Sequence, residues 1–559
     1  MKLLNKIYSA TWLNIGFLLS LMLPVGILTW TEKNPFWVSL VAILLPLGFY
    51  SCFMALSKRS GRMVWWGFIF VFFSAFQFVL SYLFGNSVIA TDMFLNLLTT
   101  NPDEAGELLA NIYPSVIAVV VIYIPLLWIA SMHLKRKIQV SDLFRQRLIR
   151  YGASSLLMGV LMLVVCCRGD IRRVLRDEVF PINVSYNLGL AISESNKVAN
   201  FEESSAGFTY DAYRDIKPKH REVYVLVIGE ASRACSWQLY GYDRKTNPLL
   251  SKRSDLSVFY NVLTQSNTTH KSVPMILSSV HTSEHDELYR RSGIPALFNE
   301  VGFSTYFISN QSPQGAMIDN LAHDAKHVIY MDSPRLDMQL VDAMRKALEE
   351  DHSERILFVL HTYGSHFSYY QRYPRSFAEF TPEADVAISR NNMELIRNTY
   401  DNSVLYTDHV LNEVISTLEG LKNTSCAMFY CADHGEDLMD TQDERFLHAS
   451  PTVTYFQLHV ASLAWFSESF KREHPTKVKA SRRNAHAPAT TFSVFHTMAD
   501  MASINSDYVD LSASLLSPDF DFEAERYYLD DHNQAVVLDE NIGINAMQRD
   551  LFRRHGIDL

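Results

Sequence analysis

EVYVLVIGE (222–230) is a short apolar run with β-branched residues that closes on a carboxylate. It reads as a strand, and four more runs of the same kind follow it: FSTYFISN (303–310), RILFVLHTYGSH (355–366), SCAMFYCADHGED (425–437) and VASLAWFS (460–467). Longer helical stretches separate them. Strands alternating with helices are the signature of an α/β domain with a mostly parallel sheet, which sets one domain over 222–559.

What ends those strands matters more than the strands themselves. The first ends in Glu230, the second in Asn310, the third in His361 with His366 close behind, and the fourth in Asp433-His434. In open α/β sheets, ligands bind outside the carboxyl ends of the strands. Taken singly, Glu230 reads equally well as a helix cap and His361 as a core histidine. Four strands delivering carboxylate, amide and imidazole to one edge instead suit a divalent metal, zinc or manganese.

A nucleophile is expected nearby. TQSNTTHKSVPMILSS (264–279) places Ser266, Thr268, Thr269 and Ser272 ahead of an apolar helical run. A hydroxyl at a helix amino terminus sits in positive potential, which favours an alkoxide and an attached phosphate. An adjacent metal would make it a nucleophile at neutral pH. An ordinary Thr N-cap explains the same residues, and physics alone does not separate Thr268 from Thr269.

Outward from this domain the composition changes. Residues 1–167 hold five apolar segments, at about 12–31, 36–57, 63–85, 113–132 and 149–167, each near the roughly 20 residues that a helix needs to span a bilayer. Lys58, Arg59 and Arg62 lie between the second and third. Lys135, Arg136, Lys137, Arg145, Arg147 and Arg150 lie between the fourth and fifth. The loop after the third carries Asp92, Asp103, Glu104 and Glu107. Positive-inside bias puts the amino terminus in the cytoplasm and everything after residue 168 outside. Residues 169–221 read as a polar linker with helices lying along the membrane surface, so the expected domains are 1–168, 169–221 and 222–559.

Charge and cysteine usage narrow the function classes. Residues 1–167 carry 12 Lys/Arg and 6 Asp/Glu; against whole-chain totals of 50 and 60, the remainder holds 38 and 54, a net of −16. Such a surface is wrong for a nucleic-acid binder. With 34 Phe, 27 Tyr and 8 Trp, the chain is not disordered. Of six cysteines, only Cys235, Cys426 and Cys431 fall outside the apolar segments, and no CxxC is present. An odd three gives no disulfide framework.

Several separated motifs then share one likeness. VIGEASR (227–233), YGYDRKTNP (240–248), TTHKSVP (268–274), HTYGSHFSYYQRYP (361–374), YDNSVLYTD (400–408), ADHGE (432–436) and FLHASP (446–451) resemble, in order, motifs of the inner-membrane phosphoethanolamine transferases of Gram-negative bacteria. These are lipopolysaccharide-modifying enzymes of the alkaline phosphatase superfamily with a sulfatase-like domain, and the likeness covers nearly the whole chain. It implies a multi-pass inner-membrane protein, a monomer, with its catalytic domain in the periplasm. The register selects Thr269 as nucleophile and Glu230, Thr269, Asp433 and His434 as zinc ligands. His366 and His448 fall on positions used for a second metal or the substrate phosphate; His361 and Asn310 fall on positions near the site. Gln265 and Met275 stand where many relatives have paired cysteines, and Gln314 where some have a lysine.

The resemblance implies transfer of phosphoethanolamine from phosphatidylethanolamine to lipid A or lipopolysaccharide core through a threonine adduct. A phosphoglycerol transferase of the same superfamily would share the metal site. A sulfatase would need a C-x-P-x-R segment, which is absent. A non-catalytic glycolipid receptor would be expected to have lost Thr269, Glu230 or Asp433. Fusions at residue 205 test the orientation: an exported reporter is expected to be active there, and a cytoplasmic one silent.

Overall fold

The computed structural model describes residues 9–559 except 32–33, 85–87, 100–105, 107–111, 217, 314, 334–335, 441–444, 451–452 and 540–541. Gln314 and the acidic residues Asp103, Glu104 and Glu107 therefore lie outside the described residues. The chain forms two compact units. One holds most of the amino-terminal 192 residues, the other residues 193–440 and 446–559 with a short stretch at 95–108.

In the first unit, helices α1 (Ala10–Thr31), α2 (Phe36–Met54), α5 (Tyr113–Arg136) and α6 (Asp142–Cys166) are each long and apolar enough to cross a membrane. The third expected segment is not one straight helix. It is a pair, α3 (Ser60–Trp66) and α4 (Phe68–Phe84), broken at Gly67 and bent by 60°. The described helices thus supply four spans, or five if the bent pair counts as one. α6 starts well before the expected 149, because Ser141 caps it by accepting from the Phe144 amide and Asp142 pairs with Lys58 at 2.7 Å.

These helices pack through small residues. A Cβ on Gly48 would lie 2.6 Å from the Leu156 nitrogen, and one on Gly152 2.8 Å from Cys52 Sγ. α2 and α6 approach that closely because the side chains are missing. Between apolar helices in an apolar solvent, such backbone approach replaces the hydrophobic drive that water would provide.

The second unit is built on a seven-stranded sheet. Its strands are β1 (Arg221–Gly229), β2 (Leu256–Val258), β3 (Ser304–Ser309), β4 (His327–Tyr330), β5 (Arg355–His361), β6 (Thr424–Ala432) and β7 (Ser462–Phe466), in the spatial order β2-β7-β6-β1-β5-β3-β4. β1, β3, β4, β5 and β6 run parallel, and β7 is antiparallel to both neighbours. Val223–Ile228 are at most 1% exposed. A central parallel strand is covered on both faces, which explains why its sequence runs apolar without alternating. The two short strands β2 and β4 carry too little pattern to stand out in the sequence.

Register sets the functional edge. Ile228 pairs with His361 on one side and Cys431 on the other, Gly229 pairs with Ala432, and Ser309 pairs with His361. The strands therefore stop level, and the residues that follow them emerge side by side.

Leucine at Gly48 should wedge α2 from α6. It is expected to cost about 1–3 kcal/mol, the usual range for overpacking, read as a lower Tm of the detergent-solubilised protein. Gly26→Leu, where nothing lies within 4 Å of an added Cβ, should leave Tm unchanged.

Candidate metal and transfer site

Glu230 follows β1 directly and is fully buried. Its place depends on a glycine in the next loop: Gly364 has φ of +46°, and a Cβ there would sit 2.8 Å from the Glu230 carbonyl oxygen. The Ser365 amide donates to that same oxygen at 3.0 Å. Asp433 and His434 leave β6 in a turn that also needs a glycine, since a Cβ on Gly435 would fall 1.9 Å from the Phe456 oxygen. The Asp433 carboxylate accepts from the amides of Ala231 at 3.2 Å and His434 at 2.7 Å through Oδ1.

Thr269 is the first residue of α8 (Thr269–Leu277). Its hydroxyl lies 3.2 Å from each Glu230 carboxylate oxygen and 3.0 Å from His434 Nε2. His434 Nε2 is in turn 3.4 Å from Glu230 Oε1 and 3.3 Å from Asp433 Oδ2. Thr268 points elsewhere: its hydroxyl meets Ser266 Oγ at 3.2 Å. Of the two threonines, Thr269, the one the family register selects, is the one whose hydroxyl meets Glu230 and His434.

The histidine tautomers are set by their outer partners. His434 Nδ1 faces the Gly435 carbonyl at 2.9 Å, so Nδ1 carries a proton and Nε2 is the nitrogen that faces the cluster. His448 Nδ1 lies 3.0 Å from Glu436 Oε2, and its ring packs against that of His434, tilted by 36° with centroids 4.0 Å apart. Glu230, His434 and His448 can each bring a ligand atom within 4.8 Å of the others. His448 had no role from its own sequence surroundings; the fold brings it to the cluster.

Electrostatics point to a cation. Burial, and then the Glu230 charge, push Asp433 up to about 8. Burial works against the charged form of His434, but Asp433 and Glu230 outweigh it and raise that imidazole to about 10. Glu230 is driven low: burial raises it, and the hydrogen bond and charge of His434 more than offset this. Asp433 Oδ2 has no hydrogen-bond partner although it is buried. Two carboxylates, a hydroxyl and an imidazole lone pair, with one carboxylate oxygen left over, form the oxygen and nitrogen donor set that suits zinc.

The remaining expected residues divide. His366 donates from Nδ1 to the Phe367 carbonyl at 2.6 Å and acts on Glu230 electrostatically. His361 is buried, with Nδ1 3.1 Å from Ser309 Oγ. Asn310 turns away from the cluster: its amide donates to Asp337 at 2.7 Å, and Asp337 accepts from the Tyr363 and Gly364 amides. It braces the loop that carries Gly364. The neighbouring Gln311 reaches the site instead, donating to Glu230 Oε2 and the Thr362 carbonyl, both at 3.0 Å. Only its position just past the strand end, and not its side-chain type, marks Gln311 in the sequence. Glu436, which holds His448 and accepts from Tyr369, was in plain view in ADHGE.

A family model described as Sulfatase matches residues 222–504. The chain belongs to the sulfatase family. The matched residues 222–504 contain every residue of the cluster. Among curated relatives, the Kdo(2)-lipid A phosphoethanolamine 7''-transferase of Escherichia coli K12 is 29% identical over 321 residues, 55% of this chain and 55% of that protein. The match thus spans about half the length of that relative. Phosphoethanolamine transferase EptA of E. coli K12 is 24% identical over 543 residues, covering 92% of this chain and 95% of that one.

Solved structures share the fold. The integral membrane lipooligosaccharide phosphoethanolamine transferase A of Neisseria meningitidis superposes with a TM-score of 0.70 at 22% identity, over 91% of this chain and 96% of that one. The periplasmic domain of E. coli EptC, solved as a complex with zinc, gives a TM-score of 0.53 at 23% identity, over 60% and 98%.

Metal binding should displace protons. The ligands must be deprotonated to coordinate, and Asp433 and His434 titrate in the metal-free cluster near 8 and 10. Zinc titrated into chelator-treated protein at pH 7 is therefore expected to release about one to two protons. Apparent affinity should rise as pH increases towards 9, measured by calorimetry in buffers of different ionisation enthalpy.

Proposed function

We propose that this protein transfers phosphoethanolamine from phosphatidylethanolamine to an envelope glycolipid, lipid A or lipopolysaccharide core, by way of a phosphoethanolamine adduct on Thr269. The observation that carries this reading is the contact of the Thr269 hydroxyl with Glu230 and His434 at 3.0–3.2 Å, at the first residue of a helix. Relatives named for phosphoethanolamine transfer to lipid A support the substrate class. Helices fit to cross a membrane support it too, since donor and acceptor are both confined to a bilayer. An inner-membrane location, five spans and a periplasmic catalytic unit belong to the same reading.

Glu230, Thr269, Asp433 and His434 would hold one zinc ion, which when bound supplies Lewis acidity that lowers the hydroxyl's pKa and offsets charge on the phosphoryl oxygens. The rest falls to the chain. Glu230 and His434 orient the Thr269 oxygen, and Gln311 fixes the Glu230 carboxylate. Thr269 Oγ forms a bond to phosphorus while the bond from phosphorus to the glycerol oxygen breaks. Diacylglycerol leaves with a proton. The positive end of α8 stabilises the phosphoryl group now attached to its first residue. In the second half, the acceptor oxygen attacks the same phosphorus, and Thr269 is released. His448, held by Glu436, and His366 are placed to pass protons to the leaving group and from the acceptor.

With donor supplied and acceptor withheld, the protein is expected to gain about 123 Da on the peptide containing Thr269, the mass of one phosphoethanolamine unit for a covalent transfer. Thr269→Ala should lose both the adduct and transfer, whereas Thr268→Ala keeps both. Undiminished transfer by Thr269→Ala would overturn the covalent mechanism.

A further inference from the structure

His448 stands on a strained turn. Leu447 has φ of +66° and Ala449 φ of +63°, so the imidazole lies between two residues in the left-handed region. Residues with a Cβ rarely adopt that conformation, and it persists only where the surroundings impose it. Glu436 fixes the direction of the ring, at 3.0 Å from Nδ1, but it does not touch the backbone on either side. Other groups must hold the turn.

Two amide side chains from distant segments do so. Asn267 comes two residues before Thr269, and Gln457 lies in the short helix Tyr455–Leu458; both are buried. Asn267 takes the far end of the turn. Its carbonyl accepts from the Ala449 amide at 3.0 Å, and its Nδ2 donates to the Ser450 carbonyl at 2.8 Å. Gln457 takes the near end, where Nε2 donates to the Leu447 carbonyl at 3.3 Å. The two amides also meet, Asn267 Nδ2 donating to Gln457 Oε1 at 2.6 Å.

The direction of each amide is set by its neighbours. Gln457 Nε2 donates to Asp437 Oδ2 at 2.6 Å, and an ionised carboxylate only accepts. That leaves Gln457 Oε1 for Asn267, and turns Asn267 Oδ1 to the Tyr528 hydroxyl at 2.7 Å. The Gln457 carbonyl receives the Gly435 amide at 2.8 Å, one residue past His434. A chain of hydrogen bonds thus runs from the nucleophile segment, round both ends of His448, to the turn that carries His434. Buried polar groups satisfied in this way fix one arrangement.

We propose that Asn267 and Gln457 are positioning residues: they clamp the turn at Leu447–Ala449 and so keep the His448 imidazole against His434. That the placed imidazole serves phosphoethanolamine transfer rests on the reaction proposed above; the clamp does not.

Hydrogen exchange in the full-length protein in detergent tests the clamp. Asn267→Leu removes the grip at Ser450, and Gln457→Met removes the grip at Leu447. Each is expected to speed exchange of the Ala449 amide at least tenfold, while the Ala231 amide, which donates to Asp433, keeps its rate. Gln457→Met decides the matter should Asn267→Leu fold poorly, which circular dichroism reports. Unchanged exchange at Ala449, or equal acceleration at Ala231, would overturn the proposal. In the transfer assay, Asn267→Leu should lower kcat at least tenfold and leave KM for the donor within twofold. Added to His448→Ala, it should lower kcat less than twofold further, because the clamp then has nothing to place. A loss carried by KM, or losses that multiply, would count against it equally. Failure of the Thr269 adduct experiment removes the transfer reading, and exchange at Ala449 then decides the clamp by itself.

Discussion

Two carboxylates buried next to each other are the constraint on which the second unit turns. Glu230 and Asp433 are both fully buried, and His434 lies 3.3–3.4 Å from an oxygen of each. Bringing like charges together out of water is costly, and the cluster relieves it by pulling protons onto Asp433 and His434. A divalent cation would relieve it better, and would put the Thr269 hydroxyl where its proton is easily lost. Structural cost and chemical use thus have one origin.

The surrounding architecture holds that unfavourable arrangement in place. The level ends of β1, β5 and β6 fix the backbone from which Glu230, the 361–366 loop and Asp433-His434 depart. Gly364 and Gly435 let backbone pass where any side chain would collide. Outer polar residues complete the frame: Gln311 on Glu230, Glu436 on His448, and Asp337 on the loop amides. Each second partner fixes an orientation, which a ligand set needs as much as it needs the ligands.

Where many relatives staple the nucleophile segment with cysteines, this chain uses hydrogen bonds. Gln265 donates from its amide to Thr282 Oγ at 2.8 Å and accepts from Thr491 through its side-chain oxygen at 3.3 Å, while its carbonyl receives the Leu529 amide at 2.8 Å. Met275 fills the other position and is fully buried. All six cysteines are unpaired. The segment before α8 is therefore tied to three distant parts of the chain without a covalent link.

Much of this was legible in the sequence because it depends on local pattern. Apolar runs closing on Glu230, His361 and Asp433-His434 report both a parallel sheet and its functional edge, since strands buried on both faces must be apolar and ligands must follow them. Apolar segments and basic loops report the membrane helices for the same reason of solvent. Other features depend on distance in space. Only the fold could bend the third apolar segment at Gly67, turn Asn310 to Asp337 while Gln311 takes Glu230, and set the Thr269 hydroxyl against Glu230 and His434. Only the fold could set His448 against His434. Side-chain direction after a strand ends is decided by loops and neighbours far away in sequence, so residue type and spacing carry no record of it.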